Sequence, residues 1–234
     1  MNYVIASFPR SGNHLVRYII EYITDRPTLG DGDDKWSRTV DGPILKRIDE
    51  NYKYSNNTPI AVKRHVIKEI DKGSKAIFIF RNPVECIIKH YLHSQSLQSL
   101  HNPDNPYLLS LIDMYENLVG YYLDNQFFKD DLYIPFESLV FSEEKVLDII
   151  NSIATILPPK SIKKIRLNDI LSSFNVHFEK SKGIYELIDT TDHAEHENFW
   201  REKIAQEDNN LSMKIYSKIY RNESLWKEFE NASK

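Results

Sequence analysis

The run Ala76-Ile77-Phe78-Ile79-Phe80 limits what this chain can fold into more than any other stretch. It offers no polar face, and its short length and β-branched and aromatic content suit a strand rather than a helix. A strand that is apolar on both sides must be covered on both sides, which is the condition of a central strand in a parallel sheet. Parallel neighbours in turn need crossover connections, usually helical. The flanking sequence supplies both requirements. Tyr3-Val4-Ile5-Ala6, Ile60-Ala61-Val62-Lys63 and Leu132-Tyr133-Ile134-Pro135-Phe136 read as further strands. Leu15, Ile19, Ile20 and Ile23 follow the first at helical spacing, and Ile87, Ile88, Tyr91 and Leu92 follow the central run.

Later segments continue the alternation. A long helix is expected over 107–126, and Ser142-Glu143-Glu144 opens an amphipathic helix through Val146, Ile149, Ile150 and Ile153. Pro158-Pro159 breaks that helix, a basic one follows over 161–171, and the remainder reads as mostly helical with a short unstructured tail. The expectation is an α/β fold: a single domain over 1–234, a central, mostly parallel sheet with helices on both faces, and a helical C-terminal part. Residues 25–59 read as an excursion over the strand ends, outside the core, with one helix near 43–50. Its Asp31 and Asp33 begin like a calcium loop, but Lys35 and the missing later Gly and Glu break that pattern. The polar segment 94–106 reads as a mobile loop.

With 234 residues and a formal net charge of −4, the chain has room for a proper core and no bulk attraction to nucleic acid or anionic membrane. Cys86 is the sole cysteine, which fits a reducing, cytoplasmic setting. No apolar run approaches membrane-spanning length.

Polar clusters end three of the strands. After the first comes Pro9-Arg10-Ser11-Gly12-Asn13-His14, a tight turn into a helix. The first amides of such a helix point out of the turn, partly positive, and Arg10, Ser11, Asn13 and His14 add charge and donors around them. Gly12 lets the backbone approach a ligand. This is an anion cradle, most naturally for phosphate or a close relative. Lys63-Arg64-His65 ends the second cluster and Arg81-Asn82-Pro83 the third, where Asn82 can cap the next helix and Pro83 can open it. In a parallel sheet all three converge at the carboxyl edge, where ligands bind.

In these residues the sequence resembles the sulfotransferases that use 3′-phosphoadenosine 5′-phosphosulfate (PAPS), with a P-loop-like sulfotransferase fold. Pro9-Arg10-Ser11-Gly12-Asn13 matches their Pro-Lys/Arg-Ser-Gly-Thr/Asn cradle for the 5′-phosphosulfate. Arg81-Asn82-Pro83-Val84-Glu85-Cys86-Ile87-Ile88-Lys89 matches their Arg-Asn-Pro-x-Asp-x-x-x-Ser turn for the 3′-phosphate, with Glu85 for Asp and Lys89 for Ser. Lys63-Arg64-His65 matches their Lys-x-His, and Tyr133-Ile134-Pro135-Phe136-Glu137 is similar to a strand ending in Tyr-Glu. The resemblance is dense over 3–92, faint to about 155 and only architectural beyond. It implies His65 as general base, Lys63 and Arg10 as stabilisers of the transferring group, and PAPS as co-substrate, with no metal. It also implies a hydroxyl acceptor (less readily an amine) on a small molecule, carbohydrate or peptide. Arg10, Ser11, Gly12, Asn13, His14, Arg81 and Lys89 would bind the nucleotide.

Departures from that pattern define the open positions. Leu15 stands where many cytosolic members stack a Trp on adenine, and Lys182-Gly183 is the nearest counterpart of their C-terminal Arg-Lys-Gly at the 3′-phosphate. Lys89 adds a positive charge at that phosphate. Cys86, His90 and His93 share one helix without completing a tetrahedral site, and His193 with His196 fares no better. Lys160, Lys163, Lys164 and Arg166 read as a solvated basic face. Two other functions compete. A P-loop-type nucleotide kinase would need Gly-x-x-x-x-Gly-Lys-Ser/Thr, whereas this turn holds one Gly and no Lys-Ser/Thr. A non-catalytic nucleotide-binding protein would not need Lys63 and His65.

Overall fold

The computed structural model describes residues 3–31, 42–95, 102, 104–124, 126–188 and 209–233. The His193/His196 pair and most of segment 94–106 lie outside these residues. Five strands form one sheet in the order β2-β3-β1-β4-β5, and every pairing is parallel. The strands are β1 (Tyr3–Ser7), β2 (Thr28–Leu29), β3 (Ala61–Arg64), β4 (Lys75–Phe80) and β5 (Asp130–Pro135). The expected central run is β4, held between β1 and β5.

Period-two alternation splits the core into two layers. Ile5, Ile77, Ile79 and Ile134 face one side, where they meet Leu15, Val16, Ile19 and Ile23 of α1 (Asn13–Thr24). Two helices share that side: α6 (Glu143–Ile156) and α7 (Lys164–Ser172). Val4, Ala6, Phe78 and Phe80 face the other side. They pack under α3 (Pro83–Ser94), α4 (Pro106–Leu123), α9 (Asn209–Ile219) and α10 (Glu223–Ala232). Fully burying one such aliphatic side chain contributes about 1.5–3 kcal/mol, so the doubly covered strands dominate the core. Two helices remain: α5 (Phe136–Phe141), straight after β5, and α8 (Phe174–Ile188), which packs on α1. No helix among the described residues is long and apolar enough to cross a membrane.

Capping follows the sequence closely. Asn82 accepts from the Glu85 amide at 3.2 Å with Pro83 at the first position of α3, and Ser142 accepts from the Lys145 amide at 3.4 Å to open α6. Several boundaries differ from expectation. The helix expected over 107–126 ends at Leu123, where Asp124 caps it, and the one expected over 161–171 starts at Lys164 after a 3₁₀ turn at Pro159–Ser161. The expected loose tail is helical to Ala232.

The largest correction concerns residues 25–59. Thr28–Leu29 pairs with β3 as an edge strand, and the helix expected near 43–50 is α2 (Ile44–Ile48). Ile44, Leu45 and Tyr54 are buried with Tyr18 in a third cluster, so these described parts of the excursion belong to the core. Arg166 departs as well from the solvated basic face: its guanidinium donates to Tyr22 O at 3.2 Å, pairs with Asp25 at 3.4 Å and lies over the Tyr22 ring.

Candidate active site

The turn after β1 is wound by two left-handed residues, Arg10 at φ 67° and Gly12 at φ 80°. Phe8 anchors it from below, with its ring 5.3 Å from Tyr115 and edge-on to His90 at 5.8 Å. The Gly12 carbonyl accepts from the Leu15 amide at 3.1 Å, and no side chain caps the first turn of α1. Position 12 favours glycine, because its φ is positive and a Cβ there would lie 2.3 Å from Phe136 Cδ2, so the ring would have to shift. Both Ser11 Oγ and Asn13 Oδ1 are buried, Asn13 Oδ1 with no hydrogen-bond partner and the Ser11 hydroxyl with only the soft, weakly accepting Cys86 thiol beside it. A buried hydroxyl left in that state is costly unless a ligand completes it. Asn13 departs from its expected role as an outward donor: its Nδ2 donates to Ser7 Oγ at 2.9 Å, stapling the loop shut.

Strand register delivers the second cluster. Lys63 lies opposite Ile5 on the α1 side of the sheet and is 5% exposed, while Arg64 lies opposite Ala6 on the other side, where its Nε pairs with Asp71 at 3.1 Å. His65 Nδ1 sits 2.6 Å from the Ser7 carbonyl. A carbonyl only accepts, so the proton resides on Nδ1 and Nε2 carries the lone pair. The His65 amide donates to Asp31 Oδ2 at 2.7 Å, and Asp31 also faces Arg64 at 3.6 Å.

His14, at the start of α1, is surrounded by cations. Burial pushes its imidazole well below the ordinary histidine range, and the charges of Arg17, Arg47 and Lys63, with His65 when protonated, push it the same way. Arg47 Nη1 lies 3.2 Å from His14 Nε2. Since a guanidinium only donates, His14 is the neutral acceptor with its proton on Nδ1.

The third cluster is locked to the first. Arg81 Nη1 donates to the Arg10 carbonyl at 2.9 Å, Nη2 pairs with Glu85 at 3.0 Å, and the guanidinium lies 4.7 Å over the Phe136 ring. The Asn82 amide donates to Glu137 Oε1 at 2.9 Å, and Tyr115 donates to the Arg81 carbonyl at 2.6 Å. Lys89 lies two turns along α3, half-buried. One residue on, burial and the Arg10 charge push His90 down to about 4.

The structure therefore brings Arg10–His14, Lys63, His65 and Arg81 to one edge of the sheet. It does not join Lys182 and Gly183 to them: Lys182 pairs with Glu179 at 2.9 Å and lies 4.3 Å over Phe178, within α8. Leu15 is 5% exposed in the core beneath α1 and offers no face to a base. Arg47, Asp31, Phe136, Glu137 and His90 also belong to the site. Of these only Glu137 carried a sequence signal for this site, the Tyr-Glu echo at the end of β5; Asp31 and His90 stood out only in incomplete metal patterns. No protein-family model and no curated protein matches the chain.

Proposed function

We propose that this chain is a PAPS-dependent sulfotransferase, acting on a hydroxyl acceptor in a reducing compartment such as the cytoplasm. The observation that carries the reading is the His65–Ser7 contact. It fixes the imidazole at the mouth of the anion loop in the tautomer whose Nε2 can take a proton. His14 is unsuited to that role, since its Nε2 lone pair already receives the Arg47 guanidinium.

The donor supplies an activated sulfuryl group on a phosphate leaving group. The uncapped first turn of α1, the buried Ser11 hydroxyl with only a thiol beside it and the buried Lys63 fit such an anion, with Arg10 and the Arg47–His14 pair adjacent. Charge that develops on the leaving oxygen would fall among these fixed donors, as in phosphoryl transfer, where positioning and electrostatics dominate. Arg81 orders the loop by holding the Arg10 carbonyl, and Lys89 lies on α3, the helix that follows it, for the 3′-phosphate. His65 Nε2 would accept the acceptor proton, a role worth about 10²–10⁴-fold.

The test pairs calorimetry with 3′-phosphoadenosine 5′-phosphate and a radiolabelled sulfuryl-transfer assay on the same samples. His65→Ala should bind the bisphosphate almost as wild type and lose about two to four decades of turnover. Arg81→Ala should weaken binding by about 1.5–3 kcal/mol through a lost charge-assisted hydrogen bond. Full turnover in His65→Ala would remove it from the mechanism. Transfer to no acceptor, with binding intact, would favour an inert nucleotide binder.

A further inference from the structure

An open groove of about 640 Å³ runs from His65 along the exposed side of α4. That volume lies within the range of small-ligand sites. Val66, Ile67, Met114 and Leu118 give it an apolar wall, while Asp113, Glu116 and Asp124 bring three carboxylates. No lysine or arginine is among the described residues that line it. Arg221 reaches Asp113 and stands 3.6 Å from Glu116 Oε2, offsetting one of those charges. Glu116 Oε1 is sealed from water with no hydrogen-bond partner, and burial raises its carboxyl above the ordinary range. A carboxylate oxygen in that state calls for a donor that the chain itself does not supply.

We propose that this groove is the acceptor site and selects hydroxyl compounds that carry a positive charge, such as amino alcohols or amino sugars. The inference rests on the sulfotransferase reading. The apolar body of the acceptor would lie along Met114 and Ile67, its ammonium group near Glu116 and Asp113, and its hydroxyl at His65. In the transfer, the acceptor O–H bond breaks and its proton goes to His65 Nε2. The acceptor oxygen forms the new S–O bond, and the S–O bond to the donor phosphate breaks, releasing 3′-phosphoadenosine 5′-phosphate. An anionic acceptor would meet like charge in the same groove.

Three matched phenols separate charge from shape: tyramine, 4-ethylphenol and 4-hydroxyphenylacetate. Their binding is measured by calorimetry on the protein alone and on its bisphosphate complex, followed by the labelled-sulfate assay. Tyramine should bind about tenfold or more tightly than 4-hydroxyphenylacetate, a difference equal to about 1.4 kcal/mol. Asn117→Arg, at an exposed position one turn beyond Asp113, should erase that preference and leave bisphosphate binding unchanged, whereas Asn117→Gln should keep it. Equal binding of the three phenols, or preference for the anion, overturns the inference whatever the turnover. Absence of bisphosphate binding overturns the sulfotransferase reading instead, and tyramine binding to the protein alone still decides the groove.

Discussion

Glu21 is fully buried on α1, and its carboxylate organises the excursion that carries Asp31 and Arg47 to the site. Oε1 accepts from the Thr28 amide at 3.0 Å, from the Thr28 hydroxyl and from the Ile44 amide at 3.0 Å. Oε2 accepts from the Leu45 amide at 3.0 Å and from the Tyr54 hydroxyl. One turn earlier, Arg17 donates to Thr28 Oγ1 and to the Gly42 carbonyl, both at 2.8 Å. Glu21→Gln preserves shape and removes the charge. In its less costly orientation the new amide NH₂ faces Leu45 and Tyr54. The Tyr54 hydroxyl can turn to accept, but the Leu45 amide is stranded, at about 1–3 kcal/mol. The three bonds on the other oxygen fall from charge-assisted to neutral strength, about 1 kcal/mol each. With partial relaxation the loss should be about 3–5 kcal/mol, or about 6–20 °C in Tm for a chain of this size. Tyr54→Phe removes one donor and should cost about 1–2 kcal/mol. Urea unfolding followed by circular dichroism gives both values from the midpoints. A Glu21→Gln loss under about 1 kcal/mol, or one no larger than that of Tyr54→Phe, would refute the view that this carboxylate orders the segment.

Two further expectations follow from the same geometry. Gly12→Ala should cost about 1–2 kcal/mol for its left-handed backbone, plus whatever the Phe136 ring needs to move, and should weaken bisphosphate binding by calorimetry. Wild-type affinity in that variant would show that the turn adapts. Stability should also decline in mild acid. His14, His90 and His177 all titrate below their ordinary value when folded, so as pH falls below about 6.5 the unfolded chain takes up protons first and gains on the native state. For His90 the decline should continue to about pH 4. The urea midpoint should drop between pH 7 and pH 5 and drop less in His90→Gln; equal slopes would show that His90 does not contribute.

The layered α/β architecture is legible in the chain because its causes are local. The doubly apolar run of β4 has to be buried on both faces, and the residues after β1 and β4 recur at helical spacing. Asn82 and Ser142 cap where their side chains can reach the next amides, whatever lies around them. The three strand-end clusters were legible for the same reason, since a parallel sheet brings its carboxyl ends to one edge. Other features had no local signature. A buried Glu21 reads in sequence as one more charge on the polar side of a helix, until Thr28, Ile44, Leu45 and Tyr54, from seven to thirty-three residues away, fold five donors onto it. Which nitrogen of His65 holds the proton is set by the Ser7 carbonyl on a neighbouring strand, and the neutrality of His14 by its burial first and then by the charges of Arg17 and of Arg47 on α2. Spacing and propensity settle which residues reach an edge of the sheet. Desolvation and hydrogen-bond direction settle what those residues can do there, and both depend on groups that only tertiary packing brings within a few ångströms.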